Sequence, residues 1–318
     1  MTKSLRIVFV GAHLEARAPL EYLIASGENV VGLFTLDDDS LARMSAGTDL
    51  RESVGRIPVR KSPKVNAPDS VAWIRSLDPD ILLVVGWTQL LDAPLLRVPR
   101  VASLGFHASL LPKYRGRAPV NWALINGEKQ TGNTMMLLDP GVDEGDIVAQ
   151  RVIEISEEDD CRTLYEKVSL TECEMLSEVL PLIREGKLPR CKQDSRLATI
   201  MPKRKPEDGL VNWNWPSRRL YDWVRALTAP YPGAFSFSGN RKVTIWKAGL
   251  DAHAPPTGGL PGSVQVDTDG YPLVVTGDGR LKVLFAQLGD DPPTSGTAAA
   301  KTFLRPAAFL GSADRGAR

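Results

Sequence analysis

Two short apolar runs, each closed by a glycine, limit what this chain can fold into. Ile7–Val10 ("IVFV") precedes Gly11, and Ile81–Val85 ("ILLVV") precedes Gly86. A strand with one wet face alternates apolar and polar residues. These runs do not alternate, so both of their faces must be covered, as in a buried parallel strand. The segment between them supplies the cover. "EARAPLEYLIASG" has helical spacing and ends at Gly27, "NVVGLFTLDD" is a further strand, and "SVAWIRSLD" repeats the helix before the second run. Strands alternating with helices imply an α/β fold, a parallel sheet with helices on both faces. Ligands of such sheets bind at the carboxyl ends of the strands.

With 318 residues the chain has room for about two domains. The helical pattern resumes at Asp159–Gly186, where Leu164, Val168, Leu176, Val179 and Ile183 share a face. Asp159 or Asp160 can cap its start and Gly186 its end, and Pro181 is expected to kink its last turn. Lys187–Lys205 has no periodicity and carries seven Lys or Arg against one Asp, a net of +6. It reads as a linker. Short alternating segments follow, among them "GAFSFSG", "RKVTIWKAGL" and "LKVLFAQLG", punctuated by Gly, Asn and Asp. They predict a small antiparallel β domain. The expected organisation is a first domain over 1–188, a basic linker over 189–205, a β domain over 206–300 and a partly disordered tail over 301–318.

The formal net charge of +1 argues against a dedicated nucleic-acid binder, which needs a basic face to displace counterions. Cys161, Cys173 and Cys191 are odd in number and lack metal-ligand spacing, so they read as reduced thiols. The opening apolar run is too short for a signal peptide or a membrane span. A soluble, cytoplasmic protein without a bound metal is expected.

"SLGFHASLLPKYRGRAP" (Ser103–Pro119) puts one of three histidines, His107, directly after a predicted strand. Three basic residues, Lys113, Arg115 and Arg117, then fall within five positions. A histidine exchanges protons near neutral pH, so His107 is a candidate acid or base. A hydrogen-bonded structural histidine is the alternative. Downstream, "TGNTMMLLDPGVDEGDIVAQ" (Thr131–Gln150) is a strand running into a loop with Asp139, Asp143, Glu144 and Asp146. The loop lacks the fuller alternation of an EF-hand, so calcium is not expected. A carboxylate placed beside a histidine favours the ring's protonated form.

The stretch from His107 to Gln150, "HASLLPKYRGRAPVNWALINGEKQTGNTMMLLDPGVDEGDIVAQ", resembles the signature of the folate-dependent formyltransferases. That family includes methionyl-tRNA, glycinamide ribonucleotide and amino-sugar formyltransferases. The likeness extends through "PKRKPEDGLVNWNWPSRRLYDWVRAL" and "APYPGAFSFSGNRKVTIWKA". It is strongest to the amino-sugar nucleotide enzymes, such as the formyltransferase half of the enzyme that modifies UDP-4-amino-4-deoxy-L-arabinose. The resemblance implies a Rossmann-like domain that binds 10-formyltetrahydrofolate as co-substrate, followed by a small OB-like domain. It implies an Asn, a His and an Asp as the catalytic set, with His107 on the histidine and Asp143 on the aspartate. The His–Asp unit would take the proton from the attacking amine and pass it to the leaving folate nitrogen. Folate contacts are implied at Gln89, Leu90, Leu91 and Arg117, and along the loop Asp139, Pro140, Gly141, Val142 and Asp143. For Leu90 and Leu91 simple core packing is the other reading, and Trp87 can line the pterin pocket or belong to the core.

The chain departs from the pattern at Gly105, where the family asparagine belongs. That asparagine donates a hydrogen bond to the oxyanion formed as an amine attacks the formyl carbon, and losing such a donor costs about 100- to 1,000-fold in rate. Three accounts stand open: another group supplies the donor, with Asn133 on the following strand as candidate; His107 stabilises the oxyanion alone; or the chain is a catalytically weakened folate-binding relative. Asn133 can equally be an ordinary polar strand residue. For the acceptor, the span from Pro206 to Ala300 holds eight Lys or Arg against nine Asp or Glu, too neutral for a tRNA-binding surface. A small amine on a nucleotide-linked sugar is therefore the expected substrate. The alternatives are methionyl-tRNA and a natural-product amine. A homodimer is left open.

Overall fold

Alternate residues of β1 (Ile7–Gly11) enter two different cores. Ile7 and Phe9 pack with Leu20, Leu23 and Ile81 on one face, while Val8 and Val10 pack with Phe34, Ile74 and Leu82 on the other. This double burial is why the run contains no polar residue. The same division repeats in β4, where Ile81, Leu83 and Val85 face one core and Leu82 and Val84 the other.

The computed structural model describes residues 4–251, 259–306 and 308–311. It divides into two units. The first takes the chain up to Val120, Lys129–Ser156 and Thr163–Lys203; the second takes Asn121–Glu128, Glu157–Arg162 and the chain from Arg204 onward.

In chain order, β1 is followed by α1 (Arg17–Ala25), β2 (Val30–Thr35), a short α2 (Asp38–Ala42), β3 (Val59–Lys61) and α3 (Pro68–Ser76). Next come β4 (Ile81–Val85), a short α4 (Ala93–Leu96), β5 (Ala102–His107), β6 (Arg115–Gly116) and α5 (Pro119–Ile125). The hairpin β7 (Gln130–Leu137) and β8 (Ile147–Glu154) precedes the long α6 (Cys161–Arg184) and β9 (Ile200–Met201). The first unit's seven-stranded sheet has the order β3-β2-β1-β4-β5-β7-β8. The five strands from β3 to β5 are parallel, whereas β7 runs antiparallel to β5 and β8 antiparallel to β7. The sheet is thus mixed, not wholly parallel as the alternation of strands and helices suggested. The expected apolar face of α6 is buried, with Leu164, Val168, Leu176, Val179 and Ile183 all inaccessible or nearly so. Gly186, at φ +70°, terminates it.

The stretch expected to be a linker is tied into the first unit. Cys191 exchanges backbone hydrogen bonds with Ile147 at 2.8 and 2.9 Å, and β9 pairs in parallel with β6.

The second unit is built on an antiparallel sheet of order β10-β11-β14-β13-β12. Its strands are β10 (Ala234–Ser238), β11 (Arg241–Leu250), β12 (Val264–Val266), β13 (Pro272–Val275) and β14 (Arg280–Leu288), with β15 (Thr294–Ser295) on β14. Helix α7 (Ser217–Leu227) buries Leu220, Trp223, Val224 and Leu227, and α8 (Gly296–Thr302) buries Ala299 and Ala300. This small β domain is the expected one. The stretch read as a tail begins inside α8, and Gly311 exchanges two 3.0 Å hydrogen bonds with Phe237 of β10. The tail's last residues, 312–318, lie outside the described residues.

Candidate active site

His107 ends β5 and is 8% exposed. The chain beyond it is cross-braced. The Ser109 hydroxyl donates to the Lys113 carbonyl at 2.7 Å, and Thr134 Oγ1 donates to Ser109 O at 2.7 Å. Gln150 Nε2 holds Thr134 Oγ1 and the Leu111 carbonyl at 2.8 and 3.0 Å. This bracing returns the chain so that the Tyr114 carbonyl lies 2.7 Å from His107 Nε2. A carbonyl only accepts, so Nε2 carries a hydrogen. The other ring nitrogen, Nδ1, is 3.5 Å from Asp143 Oδ2, which also accepts the Gly116 N–H at 2.8 Å. His107 and Asp143, 36 positions apart in the sequence, are therefore one unit. Both partners of the ring are acceptors.

The route of Asp143 to this position differs from the one the sequence suggested. Because β7 is antiparallel to β5, Leu137 pairs with Leu104 and Thr134 with His107. The loop after β7 therefore starts near the amino end of β5 and folds back to reach the histidine. It is not a carboxyl-end loop.

A cavity of about 380 Å³ opens beside the pair, within the size range of small-molecule clefts. Gly105, His107, Arg117, Asp139, Gly141, Val142 and Asp143 line it, as do Trp87 and Gln89–Leu91 from the turn after β4. Pro140 sits in the turn between Asp139 and Gly141 without lining the cavity. Gln89 contributes no free amide, because its side chain holds the 63–65 turn: Nε2 donates to Pro63 O at 2.8 Å and Oε1 accepts from Val65 N at 3.1 Å. Leu90, Val142 and Ile200 are 57%, 40% and 70% exposed and line the same cavity. That apolar lining suits the flat arms of a folate, while strand-end backbone groups can read its polar edge. Trp87 does both things considered for it. It lines the cavity and packs edge-on against Phe34, with ring centroids 5.8 Å apart.

Sequence reasoning missed the contributions of Ile200 and Met201 from β9, and of Leu138. A Cβ at Gly105 would lie 2.6 Å from Leu138 Cδ2, 3.1 Å from Cγ and 3.3 Å from Cδ1. Leu138 thus occupies the space into which a side chain at position 105 would grow.

Asn133 does not replace the family asparagine. It is fully buried, and its Nδ2 donates to Val168 O at 3.3 Å and Thr171 Oγ1 at 3.2 Å, both on α6. Side chains of a strand alternate between faces. Its neighbour Thr134 braces the His107 loop, so Asn133 points away from it. There it joins a buried group that includes Glu172, His13 and Glu15, whose Oε1 is 3.5 Å from His13 Nδ1. Burial pushes the Glu15 carboxyl up to about 7 and Glu172 well above the usual range, the latter also repelled by Glu15. It holds His13 down at about 4. The expected lone role for His107 as oxyanion donor also meets an obstacle, since both of its nitrogens face protein acceptors.

Residues 7–180 match the family described as formyl transferase, and residues 203–304 match the formyl transferase C-terminal domain. The chain belongs to the folate-dependent formyltransferase family. As a formyltransferase it is an N-formyl-transferring enzyme with 10-formyltetrahydrofolate as co-substrate. It is 38% identical over 290 residues to a methionyl-tRNA formyltransferase of Geobacter metallireducens, spanning 89% of this chain and 91% of that one. A methionyl-tRNA formyltransferase of Geotalea uraniireducens is 36% identical, spanning 98% and 99%. Among solved structures, an N-formyltransferase of Helicobacter canadensis in complex with folinic acid and dTDP-3-aminofucose is similar in fold. Its TM-score is 0.64 at 17% identity, covering 88% of this chain and 98% of that one. Among the described residues of this formyltransferase, no His, Cys, Asp or Glu cluster is arranged to hold a metal, and no helix is long and apolar enough to cross a membrane.

Proposed function

We propose that this formyltransferase acts on methionyl-tRNA, with His107 and Asp143 as its catalytic pair. The observation that carries the choice of acceptor is the likeness to methionyl-tRNA formyltransferases, 36% identical along 98% of the chain. It reverses the preference for an amino sugar drawn from the charge balance and from the resemblance to amino-sugar nucleotide enzymes. The folate supplies an activated formyl carbon. The acceptor nitrogen bonds to that carbon, the bond to the folate nitrogen breaks, and one proton passes from the first nitrogen to the second. The His107–Asp143 unit carries that proton. With His107 Nε2–H held by the Tyr114 carbonyl, the accepting atom of the unit is Asp143 Oδ2, and His107 steadies it through Nδ1. Gln89–Leu91, Arg117 and the Asp139–Asp143 loop hold the folate, Gln89 through its backbone. A cytoplasmic setting belongs to the same reading: all three cysteines are free, as in a reducing compartment.

One observation favours a second reading, an amine on a nucleotide-linked sugar. The span from Pro206 to Ala300 has nearly balanced charge, whereas tRNA binding draws on phosphate neutralisation. Side-by-side assays with charged initiator tRNA and a panel of amino-sugar nucleotides, at matched low salt, separate the two. Faster turnover of methionyl-tRNA is expected. Turnover of an amino sugar with none of tRNA would overturn the proposal.

A further inference from the structure

We propose that Gln193 is a positioning residue: its amide, anchored on Arg115, holds the Asp143 turn so that the carboxylate reaches His107. The inference rests on the reading of His107 and Asp143 as the catalytic pair.

Asp143 has φ +54°, a left-handed conformation that costs a non-glycine residue about 1 kcal/mol and must be held by its surroundings. Beyond it, Gly145 is pressed so closely to β7 that a Cβ would lie 1.7 Å from the Leu137 carbonyl. The Asp143 and Gly145 carbonyls are bridged by one group. Gln193 Nε2 donates to the first at 2.9 Å and to the second at 2.8 Å, using both of its hydrogens. Its Oε1 accepts from Arg115 Nε at 3.2 Å and Nη2 at 2.8 Å. Carbonyls only accept and a guanidinium only donates, so this amide has one workable orientation. Arg115, 6% exposed, also lies 3.4 Å from Glu144 Oε1 through Nη1.

Gln193 is itself fixed on both sides. Two residues earlier, Cys191 is paired with Ile147, and seven residues later β9 begins its pairing with β6. The next residue after Arg115, Gly116, donates its N–H to Asp143 Oδ2. Gln193 and Arg115 thus hold the turn's backbone while Gly116 holds its carboxylate. Neither Gln193 nor Arg115 lines the cavity, so the role of Gln193 is placement.

Gln193→Ala removes the bridge. Gln193→Glu keeps a partner for Arg115 but loses the two donors, so it separates the bridge from folding of the segment. Both are expected to lower kcat by about tenfold to a hundredfold, the scale of an ångström-sized misplacement, with a clearly smaller loss in folate-analogue affinity and a folded protein by thermal unfolding. If Gln193 acts only through Asp143, Gln193→Ala with Asp143→Asn should be no slower than Asp143→Asn alone. The Gly116 amide gives a readout independent of activity: its hydrogen exchange should quicken in both Gln193 variants. Additive losses in the double variant, unchanged Gly116 exchange, or a Gln193→Glu enzyme as fast as wild type would overturn the role of Gln193. An active Asp143→Asn enzyme would instead overturn the catalytic pair itself, and this inference with it.

Discussion

Restoring the family asparagine at Gly105 tests how this site works without it. A Cβ there would sit 2.6 Å from Leu138 Cδ2, closer than packed atoms allow, and an asparagine continues outward from that point. Leu138 is half-buried and packs against the cluster containing Val84 and Leu91, so moving it aside gives up that contact. Overpacking of this kind costs about 1–3 kcal/mol, which lowers Tm by roughly 2–10 °C in a domain of this size. A correctly placed donor is worth about 2.7–4 kcal/mol in the transition state, or 100- to 1,000-fold in kcat. Gly105→Asn alone should therefore lose Tm and gain little or no rate, because its amide cannot settle where Leu138 stands. Leu138→Ala deletes all three atoms that the new side chain meets. Gly105→Asn with Leu138→Ala should then gain about a hundredfold over wild type, whereas Leu138→Ala alone should gain nothing. The assay is kcat/KM with 10-formyltetrahydrofolate and the acceptor selected by the side-by-side comparison, beside thermal unfolding of each variant. A single variant that is fast and fully stable would refute the crowding argument. A double variant no faster than wild type would show that the missing donor does not limit the rate.

Two further outcomes come from the buried group on the other face of β7. Asn133→Ala should leave kcat near wild type but lower unfolding free energy by about 1–3 kcal/mol in urea titrations, since it strips buried hydrogen bonds from Val168 O and Thr171 Oγ1; a large fall in kcat would return Asn133 to the active site. Glu15, with its carboxyl at about 7 when folded against an ordinary value of 4.5, binds more protons folded than unfolded, so its stabilising effect is whole below pH 4.5 and is lost as pH rises through 7. The loss amounts to roughly 3 kcal/mol. Glu15→Gln cannot ionise, so its stability relative to wild type should rise between pH 5 and pH 8, and a difference independent of pH would refute the assignment. His13, lowered to about 4, acts in the opposite direction, its contribution growing as pH rises from about 4 to 6.5, but it is present in both proteins.

The layered sheet was legible because double burial leaves a mark on each strand taken singly. Ile7–Val10 and Ile81–Val85 have no polar residue to spare for water. Strand direction leaves no such mark. Thr131–Leu137 reads the same whether it runs with β5 or against it, so the folded-back approach of the Asp143 loop could not be seen. The period of two guarantees that Asn133 and Thr134 point apart, but which of them faces His107 depends on the pairing of Thr134 with His107. His107 and Asp143 were recognisable from their motifs. Leu138 was not, because nothing local ties a leucine after β7 to the space above Gly105. Gln193 and β9 escaped notice for a related reason: two residues of strand are too short to show any periodicity.

The pairing of β9 with β6 bears on when the proposed catalytic site can exist during synthesis. Tyr114 N–H reaches Thr199 Oγ1 at 2.8 Å across 85 positions, and Ile200 and Met201 wall the cavity that His107 opens. Every strand of the large sheet has emerged once the chain reaches Glu154, yet the Asp143 turn still lacks Gln193 and the cavity still lacks one wall. Nascent chains of intermediate length therefore hold a finished scaffold around an unfinished site. A formyltransferase cassette cut at residue 188 and moved to another protein would inherit that immature state permanently, whereas one carried through Met201 would bring its own closing segment.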